Sequence, residues 1–323
     1  MKGFFQNMNL TSQYIVNPKV TKAYSNSESS YQSIQSTHSK MRLSTTRENL
    51  KPCIEKKKIS FEVKKIVFRM ISCPKGKFTM GSSDPKENNP RRRVSIDRPF
   101  LLGETEVTQE LFLEVMGFEP SWYTDALYDM GIVVSRQRPV ENITWYDAVM
   151  FCNKLSEILG KSPYYNISNI DFIDGEGIFG DNIRDAIVTI NPQANGFRLP
   201  LETEWEYAAK AGTDDQWAGT NDPHTLGEFA WFRENSKINN KIQPHPVKGR
   251  RPNKWGFYDM SGNITEWCWD RYEDYGDYED FHIIRGGRYG SKANEVCTYT
   301  RGRFEKSSRS ETIGFRIAAT VFD

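Results

Sequence analysis

Apolar and charged residues alternate through KISFEVKKIVFRMIS (residues 58–72), the period of a half-buried strand, and GKFTMGS continues as a second strand entered through Gly76. A period near 3.6 takes over in TQELFLEVMG (108–117), where Thr108 is placed as an N-cap, Leu111, Phe112, Val115 and Met116 share one stripe, and Gly117 ends the helix. TWYDAVMFCNKLSEILG (144–160) repeats the arrangement, with Thr144 as cap and Ala148, Phe151, Cys152, Leu155 and Leu159 on the apolar face. A third helix is predicted over LPLETEWEYAAKAG (199–212), with Pro200 in its first turn, Glu202 and Glu204 near the positive end of the dipole, Trp205 and Ala209 on one side, and Gly212 at its end. Elsewhere Gly, Pro, Asn and Asp are dense, which predicts short strands and long irregular loops; residues 165–192 read as one such excursion.

Periodicity is absent from the first 57 residues, which are rich in Ser, Asn, Gln and Thr and bury too little apolar surface to offset the entropy of ordering. They read as a flexible arm, and residues 58–323 as one globular domain. Lys+Arg at 43 against Asp+Glu at 42 lacks the basic excess that nucleic-acid binding requires, so nucleic acid is not an expected partner. No apolar run approaches the roughly 20 residues of a membrane span, and no signal peptide is visible, which makes the cytoplasm the default compartment and leaves a cell-surface role open. Cys53, Cys73, Cys152, Cys268 and Cys297 are odd in number without a C-x-x-C spacing, and the four histidines include no pair at metal-ligand spacing. Cys152 reads as a core thiol, since a thiol on an apolar face behaves as a small inert hydrophobe.

Seven blocks follow one another in order: GKFTMGS, GETEVTQELFLEVMG, RPVENITWYDAVMFCNKLS, NGFRLPLETEWEYAAKAG, PNKWGFYDMSGNITEWCWD, IIRGG and IGFRIAA. Together, over roughly residues 65–319, they resemble the formylglycine-generating enzyme (sulfatase-modifying factor) family. The resemblance implies an α+β, C-type-lectin-like fold, loop-rich and low in regular secondary structure, whose C-terminal segment carries the working surface. Family members that oxidise a sulfatase cysteine use two copper-binding cysteines a few residues after the glycine pair. Here Ser291 stands at the first of those positions and Val296 at the second, Cys297 lies one residue beyond, and Arg288 replaces the serine that follows the glycines. A serine hydroxyl is a poor ligand for a soft metal, and a single thiolate does not make the two-coordinate site that selects Cu(I), so neither copper nor catalytic residues are expected. The alternative reading is a formylglycine-generating oxidase that uses Cys297.

The resemblance also implies a structural Ca²⁺ site: Asp259 and Glu266 through their carboxylates, Gly262 and Ile264 through their carbonyls. The competing reading has Asp259 capping a turn and Glu266 pairing with an arginine. If the C-terminal segment (285–316) does no redox work, its composition reads as a binding surface. Arg288, Tyr289, Tyr299, Arg301, Arg303 and Phe304 are the residue types of binding hot spots, and Ser291, Asn294 and Thr298 supply adaptable polar contacts. The arrangement is similar to the variable proteins of diversity-generating retroelements, which mutate this segment to change specificity. The expected partner is a protein or carbohydrate ligand. Trp217 and Trp231 are further candidates for the ligand face, and salt bridges from the segment's arginines to the acidic stretch DRYEDYGDYED (270–280) are the plain alternative.

Overall fold

The computed structural model describes residues 58–84, 89–124, 135–172, 183–272 and 280–322. The expected arm, residues 1–57, and most of the acidic stretch lie outside the described residues. In chain order the elements are β1 (Lys58–Val63), β2 (Ile66–Cys73), β3 (Gly76–Met80), β4 (Arg92–Ile96), β5 (Phe100–Gly103), α1 (Gln109–Met116), α2 (Trp145–Ile158), β6 (Tyr165–Phe172), β7 (Ile183–Ile190), β8 (Phe197–Arg198), α3 (Glu202–Lys210) and α4 (Leu226–Phe229). There follow β9 (Lys237–Ile238), β10 (Lys241–Ile242), β11 (Thr265–Arg271), β12 (Phe281–Arg285), β13 (Arg301–Glu305), β14 (Ile313–Gly314) and β15 (Ala318–Thr320). Few helices, many short strands and long connections make this the loop-rich α+β fold expected.

One antiparallel sheet has the order β1-β2-β5-β15-β8, so β1 and β8 are its edges and β15, near the end of the chain, is inserted between β5 and β8. A second sheet, β13-β12-β11-β14, holds the C-terminal segment; its β11–β14 pair is parallel and the others are antiparallel. Three hairpins, β3–β4, β6–β7 and β9–β10, complete the strands. Packing of α1 and α2 centres on Phe112, stacked on Phe151 at 5.5 Å, with Phe315 meeting Phe151 edge-on at 5.2 Å. A second core surrounds Trp205 and Phe257. A third, of Trp217, Leu226, Ala230, Phe232, Val296 and Cys297, lies beneath the C-terminal segment.

The first two helices form as their caps predict. The Thr108 hydroxyl accepts from the Leu111 amide and Gly117 closes α1 at φ 83°. At α2, Thr144 and Asp147 make a reciprocal capping box at 2.8 and 3.0 Å. The third helix is shorter than predicted. Its first helical residue is Glu202, Pro200 lies ahead of it, and the Leu201 and Glu202 amides are capped by Glu204 and Asp270. Trp205 and Ala209 both face the core, and the helix leaves through Ala211 and Gly212, both at positive φ.

Two further expectations change. Residues 58–72 fold back at Lys64, whose φ of 53° reverses the chain, giving the two strands β1 and β2 in place of one. Residues 165–192 include the hairpin β6–β7 where a loop was expected: the alternation of IRDAIVTI pairs with YNISNIDF in antiparallel register. Cys152 is fully buried on α2 as expected, and burial pushes its thiol far up, which keeps it inert.

Candidate binding surface

The C-terminal segment leaves β12 at Arg285 and turns through Gly286 and Gly287, at φ 94° and 70°. A Cβ on Gly287 would lie 2.4 Å from the Glu295 carbonyl oxygen, so only glycine permits this close approach. Beyond the turn the Tyr289 amide donates to the Asn263 carbonyl at 2.8 Å, and the Arg233 amide donates to the Ser291 carbonyl at 2.9 Å. The chain then dips into the third core. Val296 and Cys297 are both 0% exposed, and the Trp217 indole N–H donates to the Ala293 carbonyl at 2.8 Å.

Arg285 fixes what comes next. Its guanidinium is 0% exposed and donates to three successive main-chain carbonyls, of Thr298 (3.0 Å), Tyr299 (3.0 Å) and Thr300 (2.7 Å). Its charge is met by the buried carboxylate of Glu206, which also accepts from the Gly81 amide at 2.6 Å and the Asn89 side chain at 3.2 Å. Glu202, one turn earlier on α3, pairs with Arg301 at 2.9 Å. The two carboxylates at i and i+4 thus anchor both ends of the 298–301 run. In the sequence Glu202 is marked by its place at the helix dipole, whereas Glu206 and Arg285 are marked only by their places within the family blocks.

The predicted ligand residues divide by exposure. Arg288, Asn294 and Arg303 are exposed; Ser291, Tyr299, Arg301 and Phe304 are half-buried; Tyr289 and Thr298 are buried. The Tyr289 hydroxyl lies 3.1 Å from that of Tyr123. The Thr298 hydroxyl donates to the Asp215 carbonyl, so its side chain supports the fold and does not face solvent. The Phe304 ring packs 5.9 Å from Trp267, and the Arg301 and Arg303 guanidiniums both lie 4.8 Å from the Tyr272 ring. Besides Arg285 and Arg301, Arg309 pairs with Asp147 at 2.8 Å, and most of the acidic stretch offered as the alternative partner lies outside the described residues. Trp217 is buried under the segment, and Trp231 is sandwiched between His245 and Arg250 at 3.6 Å to each, so both support the face from within.

At two of the four calcium positions, Asp259 and Glu266, the carboxylates have partners within the chain. Glu266 forms a bidentate pair with Arg316, 2.6 Å on each oxygen, and also accepts from the Trp205 indole at 2.7 Å. Asp259, at φ 58°, accepts from the Lys248 amide at 2.9 Å and so caps a turn. Burial raises Asp259 to about 6 and, with repulsion from Asp259, Glu106 well above the usual carboxylate range. Among the described residues no group of three His, Cys, Asp or Glu side chains is placed to hold a metal ion. Glu266 thus has Arg316 as its cation, while one oxygen each of Asp259 and Glu106 is buried without a hydrogen-bond partner among the described residues. Chelation with EGTA separates the two readings: a bound ion at 100 times its dissociation constant adds about 2.7 kcal/mol, so its removal lowers the melting temperature, whereas the turn cap and arginine pair alone melt unchanged.

Comparison with known proteins agrees with the geometry. Residues 56–321 match the sulfatase-modifying factor enzyme 1-like domain. The chain belongs to this family. Within the family it is 35% identical over 235 residues to the chaperone protein LppX of Paenibacillus barcinonensis, covering 68% of this chain and 79% of that one. It is 26% identical over 279 residues to the inactive Cα-formylglycine-generating enzyme 2 of Mus musculus, covering 78% and 86%. Among solved structures, Treponema denticola variable protein 1 superposes with a TM-score of 0.70 at 32% identity, covering 82% of this chain and 99% of that one. No helix among the described residues is long and apolar enough to cross a membrane.

Proposed function

We propose that this member of the sulfatase-modifying family is a non-catalytic binding protein that presents its C-terminal segment, residues 285–316, to a ligand. The observation that carries the reading is the chemistry at the family's two copper-thiolate positions. Ser291 offers a hydroxyl, and Val296 is an aliphatic side chain buried in the third core. The neighbouring thiol is no replacement, because Cys297 is packed in the same core with its sulfur 3.4 Å from both the Gln216 amide and the Asn294 carbonyl. A buried sulfur held this way lacks the exposed, electropositive surroundings of a reactive thiolate. Names among the relatives, an inactive paralogue and a chaperone, are in keeping with a scaffold used without oxidation.

Titration with Cu(I), followed by incubation with oxygen and a sulfatase-type cysteine peptide, tests this. The expected outcome is neither stoichiometric copper binding nor formylglycine product. Turnover that is lost on Cys297→Ser would replace the proposal with the oxidase reading.

The way Arg285 holds the segment favours a more specific form of the same proposal: the segment is a diversified one, as in retroelement variable proteins. Because Arg285 binds carbonyls, the hold tolerates change at exposed positions such as Arg288, Asn294 and Arg303. Sequencing the DNA downstream of the gene checks this. A near-copy of the codons for residues 285–316 beside a reverse transcriptase is expected, and its absence would leave an undiversified binding module.

A further inference from the structure

Trp122 lies outside the C-terminal segment and in none of the helices or strands, yet it is 59% exposed. Every other tryptophan of the chain is buried or half-buried. An indole left in water forgoes the burial that its size rewards, which directs attention to what holds it there.

The backbone around Trp122 is held from several sides. The Glu141 carboxylate is buried and accepts from the Tyr123 amide at 2.9 Å; burial raises it to about 8, with the amides of Tyr123 and Trp122 both acting in the opposite direction. The Gln109 side chain donates to the Tyr123 carbonyl at 3.3 Å, and the Asn142 side chain to the Pro120 carbonyl at 2.8 Å. Two of these ties lead into the C-terminal segment. The Tyr123 ring meets Tyr289 edge-on at 5.8 Å with the hydroxyls in contact, and the Asn142 amide donates to the Ser310 carbonyl at 2.9 Å while Arg309 donates to the Asn142 carbonyl at 2.9 Å. The 120–123 turn is therefore braced against both the beginning and the end of the segment, and Trp122 is carried next to Tyr123 as Arg288 is next to Tyr289.

We infer that Trp122 is the fixed aromatic anchor of the binding surface and that the ligand it seats is a folded protein. The inference rests on reading residues 285–316 as the binding segment. Exposed Arg288, Lys292, Glu295 and Glu311 place charges of both signs on the segment, and Glu311 lies close enough to act on both Tyr123 and Tyr289. An exposed aromatic on a hydrogen-bonded turn, tied to a segment that carries charges of both signs, matches the aromatic anchor and polar surround of a protein–protein hot spot. An indole on a tied backbone has only two side-chain torsions to lose on binding, so it contributes to affinity whichever residues the segment presents.

The test uses the full chain displayed on yeast, with Arg288, Ser291, Asn294 and Arg303 randomised, and selects binders to two folded probes, lysozyme and ubiquitin, and to a mannan polysaccharide. Selected protein binders are then remade with Trp122→Ala and with Trp122→Phe, and acrylamide quenching of tryptophan fluorescence is measured with and without the probe. The expected result is that Trp122→Ala weakens binding about tenfold or more, that Trp122→Phe retains most of it, that the probe protects one tryptophan from quenching, and that the unliganded melting temperature is unchanged. Protein binders that tolerate Trp122→Ala would overturn the anchor. Binders recovered only against mannan would overturn the protein ligand. Recovery of no binder to any probe would overturn the reading of the segment itself.

Discussion

Arg285→Met is expected to destabilise the fold by about 3–5 kcal/mol, the usual cost of removing one member of a buried ion pair. The single change leaves the Glu206 carboxylate without its principal cation and removes the guanidinium from the carbonyls of Thr298, Tyr299 and Thr300, of which, among the described residues, Tyr299 alone keeps a second donor, the Asn89 side chain at 3.0 Å. Against a total stability of about 5–15 kcal/mol this is a large fraction, and for a domain of this size it corresponds to a fall in melting temperature of roughly 10 °C. Arg285→Lys is expected to recover little, because one ammonium cannot reproduce a planar fork spanning three carbonyls and a carboxylate. Thermal and urea melts of the two variants check this. Loss of less than about 1 kcal/mol in Arg285→Met would show that the carbonyls are satisfied by other donors.

Arg316→Met should cost a similar amount, about 3–5 kcal/mol, and carry a distinctive pH dependence. Arg316 is fully buried, pairs with both oxygens of Glu266, and donates to the carbonyls of Gly103 and Tyr258 at 3.1 Å each. Its charge also draws down Glu106 and Asp259, which burial raises. Without it both carboxyls move further up. A carboxyl whose folded pKa exceeds its unfolded value binds its proton more tightly in the folded chain, so stability falls as pH rises through that range. The deficit of Arg316→Met is therefore larger at pH 8 than at pH 6 or below, where Asp259, at about 6 in the parent, is increasingly protonated in the variant. Urea denaturation at the two pH values measures it. A deficit independent of pH would mean that the neighbouring carboxyls do not feel the guanidinium.

What was legible in the sequence was local. The caps at Thr108 and Thr144 act within a turn of themselves, so α1 and α2 could be placed from spacing alone. The reversal at Lys64 was not legible, because it uses a lysine at positive φ and lacks the Gly, Asn or Pro that marks most turns. In the β6–β7 hairpin the Gly- and Asp-rich run between the strands gives the whole of 165–192 the composition of a loop and hides the alternation of its two arms. Composition identified the C-terminal segment correctly as rich in amphipathic residues, yet it could not tell exposed Arg288 from buried Tyr289 or Thr298. That distinction depends on partners more than 80 positions away, Asp215 for Thr298 and Tyr123 for Tyr289. Glu266 shows the same limit: it is spaced as a metal ligand, while the cation it meets, Arg316, comes from 50 positions further along, between β14 and β15.

Thr298, Tyr299 and Thr300 are gripped by atoms that every amino acid possesses. A carbonyl oxygen is the same whether the residue that owns it is threonine, alanine or lysine, so the mooring at Arg285 reads none of the letters it holds in place. Substitutions at exposed sites along the same run leave the trellis standing while the foliage changes, and a lineage can search ligands without first having to search again for a fold.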